Sequence, residues 1–208
     1  MSLIEVMLDD GSVQSYVSGI TAGEIISEQF GRKHGCVAAY INNEARDLST
    51  IIDQSCSLRG IFSDSDAGMD ILRHSAAHLL AQAVTTLFPS AKPTIGPATD
   101  RGFYYDFADL KIGDNDLKVI TKKMNELSRK NLLVERVECS EDELQDLFQA
   151  NPFKIEIIND KIEEGTGSTI YRQGEWYDLC LGPHVPTTSK LMNVLTQSQV
   201  MPGEKKNS

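Results

Sequence analysis

Short runs of alternating hydrophobic and polar residues occupy the first 62 positions of the chain. The run LIEVML, the polar residues 9–12 and the run VQSYV form a pattern that predicts a β-hairpin. The sequence TAGE at residues 21–24 has the form of a capping box, so a helix is predicted to begin there. The later runs VAAYIN and SLRGIF predict two more strands. This order of elements, β-β-α-β-β through about residue 62, predicts a small ubiquitin-like β-grasp sheet.

Helical spacing of the apolar residues begins after the polar stretch at residues 63–68. The segment MDILRHSAAHLLAQAVTTL, residues 69–87, stops before Pro89 and predicts a long helix. The elements predicted next are a loop and a strand, a helix over about residues 115–129, the strand LLVERVEC, a short capped helix from Ser140, and two strands around Gly174. We therefore predict an α+β protein with two domains, at residues 1–62 and 63–208.

Composition narrows the classes of function. A chain of 208 residues that is 40% hydrophobic and 24% charged fits one or two globular domains. No apolar run approaches the roughly 20 residues needed to cross a bilayer, and the first residues lack the pattern of a signal peptide, so a cytoplasmic location is expected. The four cysteines form no CxxC pair, which argues against a disulfide framework and against a zinc ribbon.

The net charge of -10 argues against non-specific adhesion to nucleic acid, because phosphate binding depends on clustered Lys and Arg. Any RNA contact is expected to be local. The candidate basic pairs, each of which also fits an ordinary solvated surface, are Lys122–Lys123, Arg129–Lys130 and Lys205–Lys206.

Two short motifs contain three of the four histidines, HSAAH at residues 74–78 and CLGPH at residues 180–184. Positions i and i+4 of a helix share one face, so His74 and His78 are expected to address the same small volume. Taken alone, either motif fits histidines of the core or the surface. Together they supply imidazoles and a sulfur, which suit a tetrahedral zinc site or acid–base chemistry near neutral pH.

Four segments in this order resemble the editing domain of bacterial-type threonyl-tRNA synthetases: HSAAH, IGPATDRGFYYDF, a lysine in FKIEII, and YDLCLGPHVP. Residues 1–62 resemble the TGS domain that precedes it there. The editing domain of alanyl-tRNA synthetases shares the HxxxH and CxxxH motifs but usually has Gly-Gly-Thr where this chain has LGP at residues 181–183. The chain departs from the threonyl pattern at Leu181, where a basic residue is common, and a phosphate or ribose contact would be lost with it.

This resemblance implies the N-terminal proofreading region of a threonine–tRNA ligase, which uses an activated water to hydrolyse the ester of mischarged seryl-tRNA(Thr). Such a site is needed because one methyl group is worth only about 1–3 kcal/mol in binding, so a synthesis site sometimes accepts serine. The implied partner is the aminoacylated 3′ end of tRNA(Thr). The class II catalytic core, with its ATP and zinc sites and the expected homodimer contact, would lie beyond these residues.

The resemblance also implies roles for individual residues. His74 and Lys154 position or activate water, while His78, Cys180 and His184 line the pocket and hold substrate or proton partners. A lysine such as this one serves as a base only if burial or neighbouring cations lower its pKa. Cys180 as a nucleophile is a less favoured alternative.

Three further residues are candidates for substrate binding. Asp178 is expected to anchor the amino group of the substrate. It lies two residues before the motif cysteine, and residues two apart on an extended strand face the same side. Tyr104 or Tyr105 contacts the substrate or the terminal adenosine, or else packs in its strand.

No metal is expected, since the threonyl-type site works without one, unlike its alanyl relatives. Zinc held by His74, His78, Cys180 and His184 is the alternative. Two other functions remain open from the sequence. One is an alanyl-type deacylase acting in trans, and the other is a zinc-stabilised binding module without catalysis.

Overall fold

The computed structural model describes residues 2–96, 98–99, 102–163 and 169–197. The chain divides into one unit of residues 1–72 with 182–186, and a second unit of residues 73–181 with 187–208. Lys205 and Lys206, predicted as a local RNA contact, lie outside the described residues, as do Pro97, Asp100 and Arg101 of the predicted loop. The unit boundary falls ten residues beyond the predicted one, and the domain division at residue 62 stays a prediction.

The first unit is built around a five-stranded sheet and one helix. Its elements are β1 (Leu3–Met7), β2 (Val13–Val17), β3 (Ile20–Thr21), α1 (Ala22–Phe30), β4 (Cys36–Ile41), β5 (Glu44–Arg46), β6 (Ile51–Ile52) and β7 (Cys56–Phe62). The sheet order is β2-β1-β7-β4-β5, with β1 parallel to β7 and the other neighbours antiparallel. The short strands β3 and β6 form a separate antiparallel pair. The predicted hairpin of β1 and β2 is confirmed.

Local sequence explains how α1 begins and what it buries. The hydroxyl of Thr21 accepts from the N–H of Glu24 at 3.2 Å, and the Glu24 carboxylate accepts from the N–H of Thr21 at 2.9 Å. The predicted capping box is therefore confirmed. The helix buries Ile25 and Ile26, which join a core of inward-facing strand residues such as Val6. The alternation of buried and exposed positions in β1 supplies the facing apolar surface.

The second unit combines helices with small antiparallel sheets. Its elements, starting with a helix that begins in the first unit, are α2 (Asp66–Leu87), β8 (Lys92–Pro93), β9 (Ala98–Thr99), β10 (Gly102–Phe103), β11 (Phe107–Ala108), α3 (Asp114–Arg129), β12 (Val134–Glu138), α4 (Glu141–Phe148), α5 (Pro152–Glu163), β13 (Thr169–Gln173), β14 (Trp176–Leu179), a 3₁₀ helix (Thr188–Leu191) and α6 (Met192–Gln197). Strands β12, β13 and β14 form a three-stranded antiparallel sheet. The predicted α+β class is thus confirmed for the described residues.

Helix α5 is the main element that the sequence pattern did not define. It begins at Pro152, where a missing N–H leaves no hydrogen bond unmade, and the carbonyl of Asn151 accepts from the N–H groups of Lys154 and Ile155. With α4 it packs Leu144, Phe148 and Ile158 into one apolar cluster of this unit. This packing fixes the first turn of α5, which presents Lys154 to the interior.

No helix within the described ranges is long and apolar enough to span a membrane.

Candidate functional site

Helix α2 brings two histidines of the first motif together. The rings of His74 and His78 lie with their centroids 5.2 Å apart and their planes at 65°. The residues between them are buried and small, which lets the helix pack closely against its neighbours. The prediction that both histidines address one volume is confirmed, because they are one helical turn apart on the same face.

Cys180 meets the first histidine from the end of β14. Its Sγ lies 3.0 Å from Nε2 of His74, although 106 residues separate them in sequence. The backbone of Cys180 is held by Thr169 of β13, since the Cys180 N–H donates to the Thr169 carbonyl at 3.1 Å and the Thr169 hydroxyl donates to the Cys180 carbonyl. The sulfur is therefore positioned by the sheet rather than by a free loop.

A buried ion pair stands beside these groups. Nζ of Lys154 lies 2.7 Å from Oδ1 of Asp178, and the side chains are only 4% and 1% exposed. The hydroxyl of Tyr105 accepts from Lys154 Nζ at 3.0 Å and donates to Oδ2 of Asp178. The N–H of Leu179 also donates to Asp178. Each buried charge thus has an opposite charge and further hydrogen bonds, which such groups require away from water.

Burial sets the protonation of the histidines. The pKa of His74 is lowered from its ordinary value by burial, and the nearby carboxylate of Asp178 only partly opposes this. The pKa of His78 is lowered well below the usual value by complete burial, and it is lowered further by the charge of His74 when that ring is protonated and by the charge of Lys154. Both imidazoles are therefore neutral at neutral pH. Burial and the Asp178 carboxylate raise the pKa of Tyr105, so its phenol keeps its proton.

The two candidate tyrosines have different positions. Tyr104 is 45% exposed, whereas Tyr105 is 8% exposed and reaches the ion pair. The alternating directions of neighbouring residues in an extended segment explain this difference. Of the pair, only Tyr105 contacts the other candidate site residues of the second unit that the structure describes.

Sequence reasoning missed Trp176. Its ring stands edge-on to His78 with centroids 5.9 Å apart and planes at 90°, and its Nε1–H donates to the Thr85 hydroxyl at 3.0 Å. The signal that could have found it is the period of two along β14, because Trp176 and Asp178 lie on the same side of the strand.

The remaining predicted residues are placed as follows. His184 is buried, belongs to the segment 182–186 of the first unit, and donates its backbone N–H to Asp47 at 2.8 Å. That its ring joins the other candidates stays a prediction. Leu181, which replaces a commonly basic residue, is exposed.

The remaining candidate RNA contacts lie on or just after α3. Lys122, Arg129 and Lys130 are exposed, and Lys123 is 4.0 Å from Glu126. Their role in RNA binding stays a prediction.

Three donors of the second unit are of the types that bind zinc. His74, His78 and Cys180 are part of a group able to hold a metal ion, with donor atoms within 4.8 Å of one another. Imidazole nitrogen and thiolate sulfur are common zinc ligands, and three protein ligands with an open fourth position are typical of catalytic zinc. These donors fit such an ion in kind, but no cofactor is established by the arrangement.

Comparison with known proteins defines the class first. Residues 168–208 match the family model described as the threonyl and alanyl tRNA synthetase second additional domain. The matched residues include β13, β14, Cys180 and His184. This region of the chain is therefore the editing-domain region of an aminoacyl-tRNA synthetase.

Whole-chain similarity defines the particular family. The chain is 39% identical to threonine–tRNA ligase of Streptococcus suis (strain 05ZYH33) over 91% of its length. It is 41% identical to the enzyme of Rickettsia peacockii (strain Rustic) over 92%, and 38% identical to that of Thiobacillus denitrificans over 91%. The chain belongs to the threonine–tRNA ligase family, as the sequence resemblance predicted. It spans only about 30% of the length of these relatives.

Proposed function

We propose that the second unit hydrolyses the ester of seryl-tRNA(Thr) and thereby proofreads the product of a threonine–tRNA ligase. The observation that carries this proposal is the neutral His74 imidazole, in contact with Cys180, beside the buried ion pair of Lys154 and Asp178. A neutral imidazole provides a base, and the ion pair provides fixed charges for a polar transition state.

His74 is the proposed base. Its lowered pKa keeps the ring unprotonated at neutral pH, so it accepts a proton as water forms a bond to the ester carbonyl carbon. When the carbon–oxygen bond to the ribose breaks, the same proton passes to the ribose oxygen. The products are serine and tRNA with a free terminal hydroxyl. Contact with Cys180 Sγ at 3.0 Å limits the rotation of the ring and supports a fixed direction of proton transfer.

Lys154 serves as a charged donor rather than as the base. Its ammonium group already donates to Asp178 and Tyr105, which leaves one N–H for water or for the developing oxyanion. Of the two predicted roles for Lys154, the contacts therefore support positioning and electrostatic stabilisation.

Asp178 is proposed both to bind the amino group of the substrate and to hold Lys154 in place. Its carboxylate offers about four lone-pair sites, and Lys154, Tyr105 and the N–H of Leu179 use three of them. The remaining site on Oδ2 suits one N–H of the substrate ammonium group. Asp178 would then anchor the amino acid and hold Lys154 in the same geometry.

His78 and Trp176 form part of the wall that meets the side chain of the amino acid in this proposal. Both are large and held by contacts with α2 and with each other, so they resist displacement by an added methyl group. Steric exclusion of threonine by such a wall is the proposed basis of a preference for serine.

The first unit is proposed to be a TGS-type β-grasp domain comprising about residues 1–62, with residues 63–208 as the editing domain. Its sheet order and its parallel neighbours β1 and β7, connected through α1, support this assignment. In the proposed function tRNA(Thr) is the partner, ATP-dependent aminoacylation and dimerisation belong to other parts of the relatives' length, and no cofactor is required. The alanyl-type alternative is not favoured by relatives that are threonine–tRNA ligases.

Single-turnover deacylation at saturating protein tests the proposal. The wild-type chain is expected to cleave seryl-tRNA(Thr) faster than threonyl-tRNA(Thr), and His74→Ala is expected to slow seryl-ester cleavage by about 10²–10⁴-fold. Asp146→Asn, an exposed substitution on α4 that is not among the candidate site residues, serves as a control. Equal rates on the two esters, or an unchanged rate in His74→Ala, would overturn the assignment.

A further inference from the structure

The backbone of Gly96 lies directly against the ring of Tyr105. A Cβ atom at Gly96 would overlap Cδ2 of that ring and would lie 2.6 Å from Cε2 and 2.8 Å from Cγ. Real Cβ atoms do not approach other atoms so closely, so either the backbone or the ring would have to move. The φ angle of Gly96 lies outside the left-handed region, and space is therefore the reason that glycine is needed.

The Tyr105 ring also has close neighbours other than Gly96. The ring packs with Ala77 and Ala81 of α2 in one buried cluster, and the Phe107 ring lies 5.2 Å away between centroids. Closely packed interiors transmit a displacement because few voids absorb it. A ring pushed by a larger residue at position 96 would therefore change its direction rather than settle into empty space.

The hydroxyl of Tyr105 is where that movement would act. It accepts from Lys154 and donates to Asp178, so one oxygen joins both members of the buried ion pair. Hydrogen bonds weaken steeply when their distance or angle departs from the favoured range. A small rotation of the ring would loosen both contacts at once.

We propose that Gly96 is a positioning residue of this site. Because Gly96 has no side chain, the Tyr105 ring can lie against its backbone, and there the phenol hydroxyl forms hydrogen bonds with both Lys154 and Asp178. The effect on catalysis rests on the proposed function, whereas the effect on the Lys154 ammonium group does not. Gly96 acts through Tyr105 and needs no contact with substrate for this role.

Four variants test the proposal: Gly96→Ala, Tyr105→Phe, the double variant, and Gly102→Ala as a matched control. Gly102 lies in β10 and a Cβ there meets nothing within 4 Å, so this variant is expected to match the wild type. Displacement of catalytic groups is expected to slow seryl-ester cleavage in Gly96→Ala by about tenfold or more. In the Tyr105→Phe background, which has no hydroxyl to misplace, Gly96→Ala is expected to change the rate by less than about threefold.

Unfolding measurements separate this role from a purely structural one. The Tyr105→Phe change retains the ring and therefore the clash, so Gly96→Ala should lower the unfolding midpoint in both backgrounds, and by more where the hydroxyl is present to lose its contacts. A loss of stability in both backgrounds combined with a loss of rate confined to the Tyr105 background is the expected signature. Equal slowing by Gly96→Ala in both backgrounds would overturn the proposal.

NMR of ¹⁵N-labelled lysine gives a readout that does not depend on activity. The buried ammonium group of Lys154 is expected to give a protected signal in the wild type and in Gly102→Ala, and to lose protection in Gly96→Ala. An unchanged Lys154 signal in Gly96→Ala contradicts the proposal even if ester cleavage is absent. If Gly96→Ala does not fold, adding Tyr105→Leu removes the clashing ring and should restore folding, and failure to do so also overturns the proposal.

Discussion

The two units of the chain bury different kinds of side chain. In the first unit, residues such as Val6, Ile25 and Ile26 form an apolar core between a sheet and one helix. In the second unit, α2, α5 and β14 enclose an ion pair, a neutral histidine and several other polar groups. Apolar burial stabilises a fold in any orientation, whereas buried charges require opposite charges and hydrogen bonds in fixed directions.

Under the proposed function, the buried polar groups of the second unit serve chemistry at a cost in stability. Replacing buried ion pairs by apolar residues of similar volume is often neutral or stabilising, so stability alone does not explain the pair of Lys154 and Asp178. A fixed, dry arrangement of charge is what a hydrolytic site needs, because such groups stabilise a transition state without having to reorganise. We therefore expect the second unit to respond to single polar substitutions much more strongly than the first unit.

The largest stability effect is expected from Lys154→Met. Removal of the ammonium group leaves Asp178 buried without its partner charge, and we expect a loss of about 3–5 kcal/mol in unfolding free energy. Chemical denaturation monitored by circular dichroism measures it. The double variant Lys154→Met/Asp178→Leu should recover most of the loss while remaining inactive. A single variant as stable as the wild type would show that the ion pair is not an obligatory part of this unit.

Acidification is expected to weaken the second unit selectively. The folded-state pKa values of His74 and His78 are lowered below 6.5, so their contribution to stability is present above pH 6.5 and is lost as pH falls below it. Each such histidine contributes a slope of up to about 1.4 kcal/mol per pH unit. Denaturant titrations between pH 7 and pH 5 should show this slope, and His78→Asn should flatten it. A slope that is the same in wild type and variant would contradict the assignment.

The two capping boxes provide a comparison in which the units should behave alike. Thr21 caps α1 in the first unit and Ser140 caps α4 in the second, and both accept from the backbone N–H of a glutamate three residues later. Thr21→Ala and Ser140→Ala are each expected to lower the unfolding free energy by about 1 kcal/mol. Thermal or denaturant unfolding measures both, and costs that differ severalfold would show that these local motifs depend on their unit.

The smallest effect is expected from removal of metal. Because the proposed hydrolysis uses His74 and Lys154 without an ion, dialysis against a chelator should leave the rate of seryl-ester cleavage and the unfolding midpoint unchanged. Elemental analysis before dialysis, with His74→Ala for comparison, completes the experiment. One equivalent of zinc that is absent from His74→Ala, together with loss of activity on chelation, would replace the metal-free mechanism with a zinc-dependent one.

The features that the sequence predicted depend on interactions between residues close together in the chain. The hairpin, the capping boxes at Thr21 and Ser140 and the shared face of His74 and His78 all depend on residues within a few positions of one another. Each follows from backbone geometry or from the satisfaction of free N–H groups, which neighbouring residues decide. The roles of the site residues came from family resemblance, and these roles remain proposals.

The sequence by itself determined the class of fold, the long helix α2 and the pairing of its histidines. The periodicities of helices and strands can be recognised from the pattern of apolar residues along a short segment. Only the tertiary structure decided that Lys154 is buried, that Tyr105 rather than Tyr104 points inward, and that Trp176 stands against His78. The hydrogen bonds of Tyr105 to Lys154 and Asp178 span 49 and 73 residues. No local pattern records such distant contacts, since they depend on how separate elements pack around a common interior.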